Sequence, residues 1–256
     1  MDIVQPKKYK ILLIGDNGID QYQYGTVDRI SPEAPVPILN FSHSESKPGM
    51  AANVKENLEA LGCEVFFMHG VKTSVKTRVI DIRSKQQLLR IDQDSESKPI
   101  KLDYIDDGYD AIVVSDYNKG SVSYELIEVL RDQFTGPIFV DTKKTDLAKF
   151  EGCVIKINLI EYNNLITLPS VYTDVVVTHG DKGAVWGGNY FPAVPVEVSD
   201  VCGAGDTFLA ALAFGYLSLN DMGKAIEFAI KASAITVQHV GVYAPTLEEV
   251  TKKHDN

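Results

Sequence analysis

Residues 200–207 have the sequence DVCGAGDT, and an apolar helical pattern follows at Phe208, Leu209 and Leu212. The small residues Gly203, Ala204 and Gly205 would let backbone N–H groups at a helix start approach an anion closely, and the helix dipole favours negative charge there. Asp206 would then stand in the first turn, where a carboxylate can take a proton from a hydroxyl group while the N–H groups hold a phosphoryl group. A plain helix start with an acidic first-turn residue explains the spacing about equally well, because Gly-x-Gly alone is a weak motif.

Upstream of this stretch, short apolar runs alternate with helical patterns. Near-continuous apolar runs are typical of strands covered on both faces, and their alternation with helices indicates a parallel α/β sheet. The predicted strands are residues 10–16, 64–68, 111–115, 137–141, 154–158 and 174–178, and the predicted helices are residues 51–61, 124–133, about 203–219 and 221–240. Three further segments, residues 35–41, 77–82 and 86–92, predict a small second sheet that stands off the main one.

The composition is that of an ordinary globular protein. The chain has 256 residues, of which 45% are hydrophobic and 23% charged, with a formal net charge of −10. These values exclude a fibrous or wholly disordered chain, and the acidic balance argues against a nucleic-acid or membrane-surface partner. Cys63, Cys153 and Cys202 are too far apart for a zinc site or a disulfide framework. No signal peptide is visible in residues 1–8 and no apolar run is long enough to span a membrane, so we expect a cytoplasmic protein.

Four motifs occur in an order that resembles the PfkB/ribokinase family of sugar kinases. GAGD at 203–206 resembles the second family signature, and GMAAN at 49–53 is similar to the first. NLIE at 158–161 matches the family's N-x-x-E, and THGDKG at 178–183 resembles its nucleotide loop. The stretch RISPEAPVP at 29–37, with others along the chain, is similar to the kinase domain of bifunctional heptose enzymes, the D-glycero-β-D-manno-heptose-7-phosphate kinases.

The resemblance implies a fold and a domain organisation. We expect a ribokinase-like α/β three-layer sandwich with a small β-sheet lid, in one kinase domain over residues 1–256, with lid strands at about 17–47 and 76–94. The chain departs from the family in having only residues 71–76 between Gly70 and Thr77, so one βα unit is missing. It also has Met50 where the family usually has a second glycine, which reshapes the sugar pocket.

The resemblance also implies a role for each matched residue. Asp206 would be the catalytic base, with Gly203, Ala204 and Gly205 as the anion hole. The remaining positions would bind the sugar (Asp16, Asp20, Gly49, Asn53), arrange Mg²⁺ through water (Asn158, Glu161) and line ATP (Asn158, Glu161, Thr178, Gly180, Gly183). Asp200 is the candidate for a monovalent-cation site, and Lys119 and Arg29 are candidates for a phosphate on the substrate. From the residues alone, a helix-capping pair explains Asn158 and Glu161 as well.

The function expected from the resemblance is ATP-dependent phosphotransfer to a hydroxyl of a sugar or sugar phosphate, with the anomeric hydroxyl of a heptose 7-phosphate as one such acceptor. Two alternatives stay open, because Met50 and the missing unit depart from the family. One is a kinase for another sugar or for a nucleoside. The other is a degenerate protein that binds a sugar or nucleotide without turnover. The lid often mediates dimerisation in the family, so a homodimer is expected.

Overall fold

The computed structural model describes residues 7–169 and 175–252, and its main sheet has eight strands. Along the sheet the order is β12-β11-β10-β9-β8-β7-β1-β4, parallel from β10 to β4 and antiparallel at β11 and β12. The strands are β1 (Lys10–Gly15), β4 (Glu64–His69), β7 (Ala111–Asp116), β8 (Ile138–Thr142), β9 (Val154–Asn158), β10 (Val175–Thr178), β11 (Gly183–Trp186) and β12 (Asn189–Pro192). The predicted α/β class is confirmed. The predicted run at 174–178 begins at Val175 here, and Asp174 and residues 1–6 lie outside the described residues.

Helices cover both faces of this sheet, as near-continuous apolar strands require. One buried cluster joins the sheet to α1 (Ala51–Ala60), α4 (Ala204–Leu219) and α5 (Met222–Thr236), which α6 (Leu247–Thr251) contacts at its edge. A second cluster on the opposite face includes α2 (Tyr124–Gln133) and a 3₁₀ turn at Leu147–Phe150. The remaining short helices are α3 (Leu159–Asn163) and a 3₁₀ turn at Gly180–Lys182. In the described parts of the chain, no helix is long and apolar enough to cross a membrane.

The lid is a separate four-stranded sheet with the order β3-β2-β5-β6. Its strands are β2 (Asn17–Ile30), β3 (Pro37–Met50), β5 (Ser74–Asp81) and β6 (Gln86–Gln93). β2 pairs antiparallel with β3 and parallel with β5. The expected small sheet is therefore present. β3 extends beyond the predicted segment 35–41, and β2 lies within the lid range 17–47 that the resemblance implied.

The chain passes from β4 directly to the lid strand β5 through residues 70–73. No helix–strand unit lies between them, and β4 forms one edge of the main sheet. The shortening noted in the sequence thus falls at this edge of the sheet.

The predicted end of α5 at Val240 is wrong, because the helix ends at Thr236. The carbonyl of Val237 accepts the N–H groups of Ser199 and Asp200, which lead into α4. These contacts draw the chain out of the helical path, and Gly241 with φ of 73° then turns it. The apolar periodicity of the sequence gives no indication of these hydrogen bonds between distant residues, so it could not predict where the helix ends.

Candidate active site

The start of α4 forms the floor of a cavity of about 470 Å³. Gly203 is the N-cap residue and has φ of 78°, a conformation that favours glycine. A Cβ on Gly203 would also lie 2.7 Å from Nδ2 of Asn53, so both conformation and space require glycine. The first N–H groups of a helix have no partner within the helix, and here the residues that carry them line the cavity. The N–H of Ala204 donates to the Val201 carbonyl outside the helix at 3.4 Å. The position of Gly203, Ala204 and Gly205 thus supports an anion hole, which remains a prediction.

Asp206 lies in the first turn of α4 and is 5% exposed. Its Oδ2 accepts a hydrogen bond from Asn53 Nδ2 at 2.9 Å, and its Oδ1 accepts one from the Tyr117 hydroxyl at 2.8 Å. Burial raises the pKa of Asp206 to about 6, although the two hydrogen bonds act against that rise. A carboxylate with a pKa near neutrality is suited to general-base catalysis, since it is both ionised and basic at physiological pH.

A buried ion pair lies beside Asp206. Lys156 Nζ contacts Asp141 Oδ2 at 2.7 Å, and the two residues are 3% and 7% exposed. They are neighbours in the β8–β9 register. A Cβ on Gly205 would lie 3.0 Å from Lys156 Nζ, so the ammonium group sits directly against the first turn of α4. Both residues line the same cavity as Asp206.

The lid contributes a second group of buried charges. Asp20 forms an ion pair with Arg78, and both are less than a tenth exposed. A Cβ on Gly49 would lie 2.6 Å from Asp20 Oδ2, which explains the glycine at this position. A row of residues therefore leads from the lid to Asp206: Asp20, Gly49 and Asn53. Among the expected sugar residues, these three are brought together.

Asp16 is placed differently. It is 1% exposed, and its two carboxylate oxygens accept the backbone N–H groups of Lys119 at 2.9 Å and Ser121 at 3.1 Å. The carboxylate therefore anchors the loop that follows β7. Its acceptor capacity is directed to this loop, so a direct sugar contact by Asp16 gains no support from the geometry.

Asn158 and Glu161 form the capping box that the residues alone allow. Asn158 Oδ1 accepts the N–H of Glu161 at 2.9 Å, and Glu161 Oε2 accepts the N–H of Asn158 at 2.8 Å. The other oxygen of Glu161 forms an ion pair with Lys143. Asn158 lines the cavity, whereas Glu161 stands behind it, outside the lining residues. A structural role is therefore present, and a role toward Mg²⁺ remains a prediction.

The candidate nucleotide residues line the same cavity. Thr178, Gly180 and Gly183 share it with apolar side chains, including Val198, Val201 and Phe208. Gly183 has φ of 104°, and a Cβ there would lie 2.0 Å from the Phe191 carbonyl oxygen. An apolar slot that leads to a helix N-terminus suits a planar base joined to phosphates.

Two of the three candidates for ionic sites, Asp200 and Lys119, have partners inside the protein. The carboxylate of Asp200 accepts the N–H groups of Cys202 at 3.0 Å and Gly241 at 2.9 Å. Burial acts to raise the pKa of Asp200, but these hydrogen bonds outweigh it and lower that pKa. Lys119 forms an ion pair with Asp94, and Arg29 lies exposed near the end of β2. The geometry adds no support for a substrate phosphate at Lys119 or Arg29.

The comparisons with known proteins agree with this geometry. Residues 166–249 match the model of the pfkB family carbohydrate kinases. The bifunctional protein HldE of Nitratiruptor is 32% identical and that of Helicobacter hepaticus 31% identical, over 95% and 96% of this chain. The chain contains a pfkB family domain. It spans 64% of the length of each of these two relatives.

Solved structures show that this chain has the ribokinase-like fold. The ribokinase of Thermotoga maritima superposes with a TM-score of 0.69 at 19% identity, covering 94% of this chain and 98% of that one. Phosphofructokinase-2 of Escherichia coli, in a complex with potassium, gives a TM-score of 0.71 at 17% identity, covering 94% and 97%. The expected fold class is confirmed. The alignment to the Nitratiruptor relative extends over 301 residues but includes only 95% of this 256-residue chain, so it contains gaps in this chain, which agrees with a shortened chain.

Three residues that line the cavity were not among the predictions: Tyr117, Asp141 and Lys156. A signal for Lys156 was available, because a lysine inside an apolar run covered on both faces must have a buried partner. Asp141 ends the neighbouring run, where α/β folds commonly place ligands. Tyr117 carries no such signal, since it meets Asp206 across 89 residues of sequence.

Proposed function

We propose that this chain is an ATP-dependent carbohydrate kinase in which Asp206 is the general base. The observation that carries the proposal is the position of Asp206. It is buried at the N-terminus of α4, held by Asn53 and Tyr117, in a cavity that also contains the candidate nucleotide residues. The pfkB family domain of the chain supports the same reaction class.

In the proposed reaction the acceptor hydroxyl gives its proton to Asp206. The hydroxyl oxygen forms a bond to the γ-phosphorus of ATP, the bond from that phosphorus to the β–γ bridging oxygen breaks, and ADP leaves. Positioning and electrostatic stabilisation supply most of the catalysis in phosphoryl transfer. The N–H groups at Gly203–Gly205 would supply part of it, because they are fixed before the reaction and need no reorganisation.

The donor set fits a hydrated Mg²⁺. Oδ1 of Asp141 is buried without a hydrogen-bond partner among the described residues, and it belongs to a cavity-lining side chain. Glu161 and Asn158 would hold the ion through water, as in our prediction from the motif, and Mg²⁺ usually keeps several of its waters. When bound, Mg²⁺ neutralises charge on the phosphate groups of ATP. Lys143 would have to release Glu161 Oε1 for that oxygen to take part.

The inner face of the lid favours a phosphorylated acceptor. Lys47 and Lys76 flank Asp20 in the strand register, one on each side. Lys76 Nζ lies 5.1 Å from the centre of the Tyr117 ring, which contacts Asp206. Within the described residues neither lysine has a carboxylate within 4.0 Å, and Arg78 adds a third cation. These cations support a sugar phosphate as acceptor, and the HldE relatives make heptose 7-phosphate the first compound to test.

The test is ADP release from Mg·ATP with a panel of sugars, sugar phosphates and nucleosides, heptose 7-phosphate included. We expect turnover with one acceptor, and at least about a 100-fold loss in Asp206→Asn, as for removal of a general base. Binding of ATP or sugar without turnover of any acceptor would favour the alternative, a binding protein. Turnover that survives in Asp206→Asn would refute the role of Asp206.

We also propose a homodimer through the lid. The outer residues Phe41, Leu89 and Ile91 are between 45% and 63% exposed, although they lie on the strands β3 and β6 that form the edges of this sheet. Exposed apolar side chains on edge strands favour pairing with another chain. Light scattering at micromolar concentration should give twice the chain mass, and Leu89→Lys with Ile91→Lys should give a monomer. A monomer for the unchanged protein would contradict this proposal.

A further inference from the structure

The pair of Lys156 and Asp141 is incomplete as a structural ion pair. Only one oxygen of Asp141 is bonded, to Lys156 Nζ, and the other is buried without a partner among the described residues. Buried polar groups in folded proteins almost always have their hydrogen bonds satisfied. A pair that served packing alone would be surrounded by such partners. This one instead lines the cavity that contains the start of α4.

The charges in the cavity also favour a cation at this place. Asp206 and Asp141 both line the cavity, and a triphosphate that entered it would meet two carboxylates. A Cβ on Gly205 would lie 3.0 Å from Lys156 Nζ, so the ammonium group lies against the first turn of α4. A fixed ammonium group in a partly buried site stabilises developing phosphate charge more strongly than one in water.

On the basis of the proposed kinase function, we propose that Lys156 is a further catalytic residue, whose ammonium group contacts the phosphoryl group in transfer. Asp141 holds Lys156 toward the start of α4 through Oδ2. Gly205 is glycine because the ammonium group occupies the space that a side chain would need. If Lys156 served only to neutralise Asp141, its ammonium group would not need to lie against the predicted anion hole.

Lys156→Met tests the contact, and Lys144→Met is the matched control. Lys144 forms a similar ion pair with the buried Asp116 at 3.0 Å, near the same edge of the sheet, but it does not line the cavity. Both variants leave a buried carboxylate without its cation, so both lose stability for the same reason. We expect kcat to fall at least about 100-fold in Lys156→Met, as for removal of one transition-state donor, and to stay within about threefold in Lys144→Met.

Two further measurements keep the test decisive. Asp141→Asn combined with Lys156→Met leaves no unpaired buried charge, so it serves if the single variant fails to fold. Because Asp141 is also a candidate for the Mg²⁺ site, the double variant is compared with Asp141→Asn alone, and the difference between the two reports on phosphate contact by Lys156. Calorimetric binding of ATP and of adenosine then separates phosphate contact from general damage. We expect Lys156→Met to weaken ATP binding about tenfold, the size of one charged hydrogen bond, without changing adenosine binding.

The outcomes separate this inference from the proposed function. If the unchanged protein turns over and Lys156→Met keeps its kcat within threefold, the inference is overturned and the kinase function stands. If the unchanged protein turns over no acceptor, the kinase function fails, and ATP binding then tests whether Lys156 contacts phosphate. A selective loss of ATP affinity in the variant then supports contact with phosphate, and an equal affinity overturns it. Failure of the unchanged protein to bind ATP overturns both.

Discussion

Replacement of Asp206 by asparagine should make the protein inactive and, at neutral pH, more stable. In the folded protein the pKa of Asp206 is about 6, against an ordinary value of 3.8. The folded state therefore binds the proton more tightly than the unfolded state, and ionisation above pH 6 costs about 3 kcal/mol of stability. Asparagine avoids this cost, because it carries no charge into the buried site.

The net gain is smaller than the full cost. The asparagine amide can still accept from Asn53 Nδ2 and donate to the Tyr117 hydroxyl oxygen, but both hydrogen bonds lose the strength that the carboxylate charge gives them, which costs about 1 kcal/mol. We therefore expect Asp206→Asn to be about 2 kcal/mol more stable than the unchanged protein at pH 8. Stability gained by neutralising a catalytic group at the expense of activity is a common trade-off in enzymes.

Urea unfolding of both proteins at pH 5 and pH 8 measures the effect. With pKa values of about 6 and 3.8, the advantage of Asp206→Asn should grow by about 1.4 kcal/mol between these pH values. Other titrating groups are common to both proteins, so they cancel in the difference. Parallel pH dependence in the two proteins would refute the argument that burial raises the pKa of Asp206.

Tyr117→Phe removes one hydrogen bond that stabilises the Asp206 carboxylate, so the acid limb of the kcat/KM profile should move to higher pH by about one pH unit; an unmoved limb would contradict this. Gly205→Ala should lower kcat roughly tenfold while the protein stays folded by circular dichroism, because the new Cβ would lie 3.0 Å from Lys156 Nζ and displace it. An unchanged kcat would contradict the role proposed for Lys156. Met50→Gly should relieve about 1 kcal/mol of backbone strain, because Met50 has φ of 54°, but it should lose about 2–3 kcal/mol of hydrophobic stabilisation from the buried side chain. Urea unfolding should therefore show a net loss of stability, and a gain would contradict this argument.

The layers of the fold could be predicted because each strand of the main sheet is buried on both faces. Such strands leave a local mark in the sequence, a short apolar run between polar segments. The end of α5 could not be predicted in this way. It depends on the Val237 carbonyl, which is bonded to residues nearly forty positions earlier in the chain.

The candidate site likewise contains some features that depend on neighbouring residues, and could be predicted, and others that depend on distant residues. Gly203, Ala204 and Gly205 are neighbours in the sequence, so their motif alone could place them at the start of a helix that lines the cavity. The partners of Asp206, Asn53 and Tyr117, come from two other parts of the chain, and only Asn53 lies within a motif. Asp16 illustrates the opposite case, since nothing local determines whether a carboxylate at a strand end faces a cleft or a loop. Asn158 and Glu161 satisfy a structural capping pattern and a family motif at once, so sequence alone could not choose between the two.

The lid is joined to the main layer with very little free chain. One residue separates β1 from β2, no residue separates β3 from α1, and four residues separate β4 from β5. Two of the four crossings, from β1 to β2 and from β3 to α1, therefore offer almost no flexible hinge, whereas residues 70–73 and 94–110 are loops. Any approach of the lid to a substrate must therefore be accompanied by a twist along β2 and β3. The amide hydrogens of the inner halves of β2 and β3 should then exchange with solvent at nearly the same free energy as those of β1, as one cooperative unit with the core.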